Sequence, residues 1–311
     1  MNKLTIYFVC IFTTNLFSIS NQNIITIKSE FHKKVVETLT YKKRYKTYLK
    51  NHCPTEEIQC YNNKIPILKN WNNTKRDTYI HLKLKSYQNN NKLIKKSWKK
   101  ISKKLIALNL KLDKSQFIST IDLSKQLYIL VLWNNVNKSF HFIGTDFIST
   151  GDISCEVNVK SGEDHYFETP TGIFKVKSGW RSVGKKLKDN YTMPYGKKDR
   201  YVYYFGKQKG MRYNSFDENK KKIAKKADYD LISDHLEFAM HAHKSYNVLG
   251  SKASHGCIRL SNELNLFLDN NYVLHKNVYI DNKWQQKYII PPQSSSNSHL
   301  SGEYLIVFDK I

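Results

Sequence analysis

A chain of 311 residues that is 40% hydrophobic and 25% charged holds enough apolar material for one substantial domain with an appendage, or for two small ones, which excludes a disordered tail. Its 51 Lys+Arg against 26 Asp+Glu leave a net charge of +25, suited to an anionic partner such as nucleic acid, a lipid surface or an acidic polymer. The abundance of Lys, Asn, Ile and Tyr fits codon bias in an AT-rich genome equally well, so charge alone selects no partner.

At the N-terminus Lys3 precedes a mostly apolar run over residues 4–17, interrupted by Thr13, Thr14 and Asn15 and followed by Ser18-Ile19-Ser20. A basic start, a short apolar core and a small-x-small site make residues 1–20 an expected secretory signal, with an uncleaved membrane anchor as the alternative. The mature protein is then expected in a periplasm or cell envelope, with no integral membrane segment after cleavage. Of the five cysteines, Cys10 would leave with the signal. Cys53 and Cys60 enclose the polar CPTEEIQC and can form a local disulfide in an oxidising compartment, whereas Cys155, in the alternating ISCEVNV, reads as a small core residue. Cys257 is left without an obvious mate.

Residues 21–115 form a basic N-terminal region, low in glycine and partly helical. FHKKVVETLTYKKRYKTYLKN reads as a helix and TYIHLKLKS as a short strand. In KLIKKSWKKISKKLIALNLKL, Ile94, Trp98, Ile101, Leu105, Leu108 and Leu112 recur at steps of three and four and share one helical face, opposite a face that is nearly all lysine. Such a helix either lies on an anionic membrane or glycan, or packs its apolar stripe on the neighbouring domain and solvates its lysines.

From residue 116 to about 282 the pattern becomes mainly β, as in a sandwich or barrel-like pair of sheets. Strand-like runs over 126–133 and 140–149 flank a turn supplied by Asn134, Asn135 and Asn137. Ser161-Gly162 and Pro170-Thr171-Gly172 mark further turns, and short strands continue towards Met240. Residues 196–235, which contain DENKKKIAKKADYD, read as a helical insertion and a candidate lid. Ser261 and Asn262 are N-cap candidates for a helix with Leu264, Phe267 and Leu268 on its apolar face. NVYIDN reads as a strand, and residues 283–311 as a linker, PPQSSSNSHLSGE, leading to a last strand, YLIVFD.

The reactive groups concentrate in EFAMHAHKSYNVLGSKASHGCIRL, where LEFAMHAH alternates and presents His241 at a strand end. Imidazole can take the proton of the Cys257 thiol. The small Ala253, Ser254 and Gly256 admit a substrate close to the backbone, N–H groups at Gly256 and Cys257 suit an oxyanion, and Arg259 can clamp a carboxylate. This is a Cys/His acyl-transfer constellation. His241, His243, His255 and Cys257 also make H-x-H…H-x-C, a set that zinc accepts, and a buried thiol among surface histidines is the third reading.

SHGCIRL, with a histidine about fifteen residues before it, resembles the signature of the L,D-transpeptidase (YkuD-type) catalytic domain. ISTGD at residues 148–152, ETPTGIFKV at residues 168–176 and the MPY that begins at Met193 are similar to further family segments, in family order. The resemblance implies a YkuD-like β-sandwich, with Cys257 as nucleophile, His241 as general base and the Ala242 carbonyl orienting its ring. Ser254, His255 and Gly256 would shape the oxyanion site and Arg259 would hold substrate. It implies peptidoglycan stem peptides as partners, no nucleic acid and no cofactor or metal. The acyl group would pass from a stem tetrapeptide, with loss of terminal D-alanine, to a stem amine, an envelope protein or water. A zinc-stabilised, non-catalytic wall-binding protein is the alternative of another class.

Overall fold

The computed structural model describes residues 19–52, 92–153, 166–184, 195–214, 217–219, 221, 223–276 and 297–309. Most of the expected signal, Cys10, Cys53, Cys60, Cys155, the TYIHLKLKS strand, Met193-Pro194, the NVYIDN strand and most of the linker lie outside them.

Helix α1 spans Asn21–Phe31, α2 Leu39–His52 and α3 Lys92–Ala107. Ser20 caps α1 by accepting the Asn23 N–H at 3.1 Å, and Ile24, Ile27 and Phe31 recur at helical spacing on its buried face. A π-helical turn over His32–Val36 leads on to α2. The strands follow as β1 Gln116–Asp122, β2 Leu127–Asn134, β3 Ser139–Phe147, β4 Ser149–Gly151, β5 Gly172–Lys175 and β6 Ser178–Arg181. Then come β7 Tyr201–Asn214, β8 Asp230–Ala242, β9 Ser251–Ser254, β10 Ile258–Leu260, helix α4 Asn262–Asn270 and β11 Tyr304–Phe308. The helix expected after Cys257 is α4, capped by Ser261, whose hydroxyl accepts the Leu264 N–H at 3.0 Å.

The strands form two sheets, one in the order β3-β2-β1-β11-β5 and one in the order β6-β7-β8-β10-β4-β9. The chain passes from the first sheet to the second at buried Ile148. Alternation along each strand sorts the core into two layers. Phe117, Ile121, Tyr128, Leu130, Leu305 and Val307 face the second sheet, where Tyr203, Phe205, Phe238, Met240, Ile258 and Leu260 meet them. Ile118, Ile129, Val131, Ile306 and Phe308 face the other way, onto Tyr41, Tyr45 and Tyr48 of α2 and Ile101 and Leu105 of α3. Both faces of the first sheet are therefore covered, which is why β1 is buried along its whole length.

The basic N-terminal region thus supplies a third layer. The apolar stripe of α3 is turned inward: Ile101 and Leu105 are buried, and Trp98, Leu108 and Leu112 pack on the same cluster. Burying each of the first two contributes roughly 1.5–3 kcal/mol. The last strand is no tail, because β11 lies between β1 and β5, parallel to the first and antiparallel to the second.

The helical reading of residues 196–235 is overturned. β7 and β8 pair antiparallel from Tyr203↔Met240 to Asn214↔Asp230, as one long hairpin. Among the described residues its tip holds only the 3-10 turn Lys226–Asp228. The Lys- and Ala-rich tip has helical propensity, but it is too short to outweigh the ladder that closes below it.

Candidate active site

β8 and β10 run parallel, with Arg259 opposite His241 and Ile258 opposite Met240. Leu236, Phe238 and Met240 point into the core between the sheets. Glu237, Ala239 and His241 therefore share the outer face, and Arg259 joins them. Cys257, two residues before Arg259, opens β10 on that face.

Buried His241 places Nδ1 3.2 Å from the Ala242 carbonyl. A carbonyl only accepts, so Nδ1 carries the proton and Nε2 is left as the basic nitrogen. The same carbonyl accepts the Lys197 N–H at 3.1 Å. Gly196 lies against this pair at φ +70, where a Cβ would come within 1.9 Å of the Ala242 oxygen and 2.5 Å of His241 Nδ1. Burial, helped by the charges of Arg259 and His243, depresses His241 to about 4, against the pull of the Ala242 carbonyl.

Cys257 sits on a three-residue arch. β4 lies between β9 and β10, so His255, Gly256 and Cys257 cross over its end. Gly256 takes φ +119, a conformation that side chains avoid, and a Cβ there would meet Leu236 at 2.8 Å. Thr169 fastens the arch from the side: its buried hydroxyl donates to the Gly256 carbonyl at 2.7 Å and accepts the Gly151 N–H at 2.8 Å. Ser254 Oγ donates to the Cys257 carbonyl at 2.5 Å and accepts the Gly256 N–H at 3.2 Å. Gly256, expected as an oxyanion donor, therefore uses its N–H within the loop.

Cys257 is half-buried, with Sγ 3.5 Å from the Glu237 carbonyl. Burial, reinforced by the Glu237 charge, pushes the thiol up to about 11, while the Ala239 N–H and Arg259 pull it down. Near neutrality Cys257 is therefore a thiol and His241 a neutral imidazole on the same sheet face. Arg259 donates to the Ala253 carbonyl at 2.7 Å and lies 3.4 Å from His255 Nδ1, while the His255 ring stacks on Tyr166 at 4.0 Å between centroids. Both residues therefore brace the arch.

His243 folds back on its own turn, Nδ1 2.9 Å from the Ser245 carbonyl. Among the described residues no three His, Cys, Asp or Glu side chains gather as a metal site, so the H-x-H…H-x-C set is not assembled. No described helix is long and apolar enough to cross a membrane.

Three residues of this face, Trp180, Tyr204 and Glu237, escaped the sequence reading, and a fourth, Tyr195, entered it only as the last residue of MPY, with no role given. Trp180 of β6, Tyr195 in the segment before β7, and Tyr204 of β7 form a string of rings, with Trp180 5.5 Å from Tyr195 and 5.7 Å from Tyr204, and Tyr195 5.6 Å from His241. Tyr204 Oη donates to the Glu237 carboxylate. Burial, then the nearby charges of Cys257 and Glu237, hold the Tyr195 hydroxyl far above its usual range. The alternation in LEFAMHAH, carried back two steps from His241, would have found Glu237.

No curated protein matches the chain. Solved structures similar to it include that of Bd1075 from Bdellovibrio bacteriovorus, at 13% identity over 63% of this chain and 48% of that one with a TM-score of 0.29, and that of L,D-transpeptidase 3 from Mycobacterium tuberculosis, at 14% identity over 63% and 62% with a TM-score of 0.27. The chain thus spans less than two thirds of either. The profile of the YkuD family, described as the L,D-transpeptidase catalytic domain, matches residues 116–280. That range runs from β1 past α4 and takes in the whole His241–Cys257 face, and on it the chain belongs to the YkuD L,D-transpeptidase catalytic domain family.

Proposed function

We propose that this protein is a peptidoglycan L,D-transpeptidase of the cell envelope, with Cys257 as nucleophile. The placement of a half-buried thiol on a braced arch, on the same sheet face as a neutral, oriented histidine, carries this reading.

In the first step Cys257 Sγ attacks the carbonyl carbon of the third, diamino acid residue of a stem tetrapeptide, and His241 Nε2 takes the thiol proton. The Cys257 N–H faces the developing oxyanion, and the charge of Arg259 favours negative charge at the sulfur. The tetrahedral intermediate collapses to a thioester, and the imidazolium returns its proton to the departing amine of D-alanine. In the second step an acceptor amine attacks the thioester, His241 takes its proton, and the thiol is restored. The product is a cross-link between two stems, or a protein joined to the wall. Neither step requires Cys257 to be ionised at rest, which suits the pKa directions of the pair.

The test is mass spectrometry of a purified stem-tetrapeptide muropeptide incubated with the protein or with Cys257→Ala. A dimer lighter by one alanine, absent with the variant, is expected. A tripeptide alone would make water the acceptor and the enzyme an L,D-carboxypeptidase. Untouched substrate with both proteins would overturn the reaction and favour a wall-binding role.

A further inference from the structure

Neither proposed step uses the side chain of Glu237, yet its position on the active face is well defined. It is half-buried four residues before His241, and its own carbonyl faces Cys257 Sγ at 3.5 Å. Thiol and carboxylate therefore spring from one place on the sheet. The carboxylate is held by Tyr204 Oη, and Tyr204 continues into the ring string Trp180–Tyr195, each ring half-buried with part of its surface open. The cation near this carboxylate is Lys207, directly opposite Glu237 in the β7–β8 ladder, at 3.7 Å from Oε1. Its side chain is 72% exposed, so the pair is solvated and weak.

A carboxylate with a string of electron-rich rings running on from its tyrosine partner suits a compact cation. The carboxylate meets one N–H of an ammonium, and the rings attract the remaining charge without competing for protons. We propose that Glu237, with the rings of Trp180, Tyr195 and Tyr204, forms a box that receives a primary ammonium group of the substrate presented to Cys257. The proposal rests on Cys257 being the reacting group. A peptide with a side-chain amine near the attacked carbonyl is favoured over one whose amine is acylated.

Two thiol reagents of similar size test the box without turnover. Aminoethyl methanethiosulfonate is cationic and methyl methanethiosulfonate is neutral; with each, the Cys257 sulfur forms a disulfide and expels methanesulfinate. Modification of the full-length protein is followed by mass spectrometry of the Cys257 peptide, and the cationic-to-neutral rate ratio is divided by that of an unstructured cysteine peptide. The normalised ratio is expected to be about ten, as a cation held by a carboxylate and ring faces implies. It falls towards one in Glu237→Gln and falls also in Trp180→Leu, which alters no charge. In Lys207→Gln, a change at an exposed position, it rises.

A ratio indifferent to Glu237→Gln overturns the box. So does a ratio lowered by Glu237→Gln but not by Trp180→Leu, which would leave only the field of a carboxylate. Should Glu237→Gln fail to fold, Trp180→Leu and Lys207→Gln decide alone, and no change in either overturns the proposal. A protein inactive on muropeptides that keeps its cationic preference sinks the transpeptidase reading and spares the box. An active enzyme without the preference does the reverse.

Discussion

Arg44 of α2 and Asp146 of β3 meet at 2.9 Å, with neither side chain exposed to solvent. The same guanidinium reaches Glu263 of α4 at 3.2 Å, and Ser261, which caps α4, donates to the second Asp146 oxygen at 2.5 Å. One buried ion pair thus joins the N-terminal layer to the segment directly after the Cys257 arch. Burial holds the Asp146 carboxyl above its usual range, and Arg44 and Ser261 oppose that push.

Arg44→Ala is therefore expected to cost about 3–5 kcal/mol at neutral pH, read by urea denaturation, because it leaves a buried carboxylate without its cation. The sign with pH follows. Without Arg44 the folded Asp146 pKa rises further, so the loss is full above that value and shrinks as pH falls through it, when the carboxyl becomes neutral. A loss that is the same in acid would contradict the role given to Asp146. A chain shortened to begin near residue 115 would lack α2 and α3 and bare the apolar face of Ile118, Ile129, Val131 and Ile306, so it is expected to be insoluble.

Gly196→Ala puts a methyl group where the Ala242 oxygen and His241 Nδ1 already lie, at 1.9 and 2.5 Å. The imidazole must shift, and kcat on muropeptide is expected to fall about 100-fold. Substrate binding, measured separately, should change far less. An unaltered kcat would mean that His241 need not stand where it does.

Thr169→Val keeps the shape of the side chain and removes the hydroxyl between Gly151 and Gly256. Each orphaned backbone group costs about 1–3 kcal/mol, visible as a lower Tm, and Thr169→Ser should recover most of it. Failure of serine to rescue would assign the effect to packing.

Alkylation of Cys257 by iodoacetamide, followed at its own peptide, should climb steadily from about pH 8 to about pH 10, because the thiol is pushed up to about 11. A plateau near neutrality would reveal a thiolate–imidazolium pair instead. Stability has the opposite origin at His241. Its folded pKa is depressed to about 4, so between its unfolded value of about 6.5 and that value the unfolded chain binds a proton that the folded chain does not. Stability contributed by neutral His241 is present above that window and lost as pH falls through it, and His241→Gln should make the acid dependence shallower.

Much of the molecule was legible where neighbours in sequence decide the outcome. The stripe through Ile101 and Leu105, the Asn134 turn and the Ser261 cap depend on spacings within one element, and the SHGCIRL arch carries Cys257 and its glycine within a few residues. The β7–β8 hairpin was not legible, because a tip rich in Lys and Ala hides strands defined by their pairing with each other. Nor was the ring string. Trp180, Tyr195 and Tyr204 lie on separate segments that only the sheet order brings to one face. Arg44 looked like one more basic residue in a basic region, and burial alone sets it apart.

The position of β11 also sets an order of events. Ser119 pairs with Leu305 and Thr120 with Ile306, each pair 186 positions apart in the sequence, so the first sheet cannot be completed while the ribosome still holds its closing strand. Until then β1 presents an open hydrogen-bonding edge, flanked by apolar side chains and able to pair with another chain. A nascent protein of this design is at risk of aggregation from the emergence of β1 until that of β11. The arch that carries Cys257 emerges well before the sheet beneath it can be sealed.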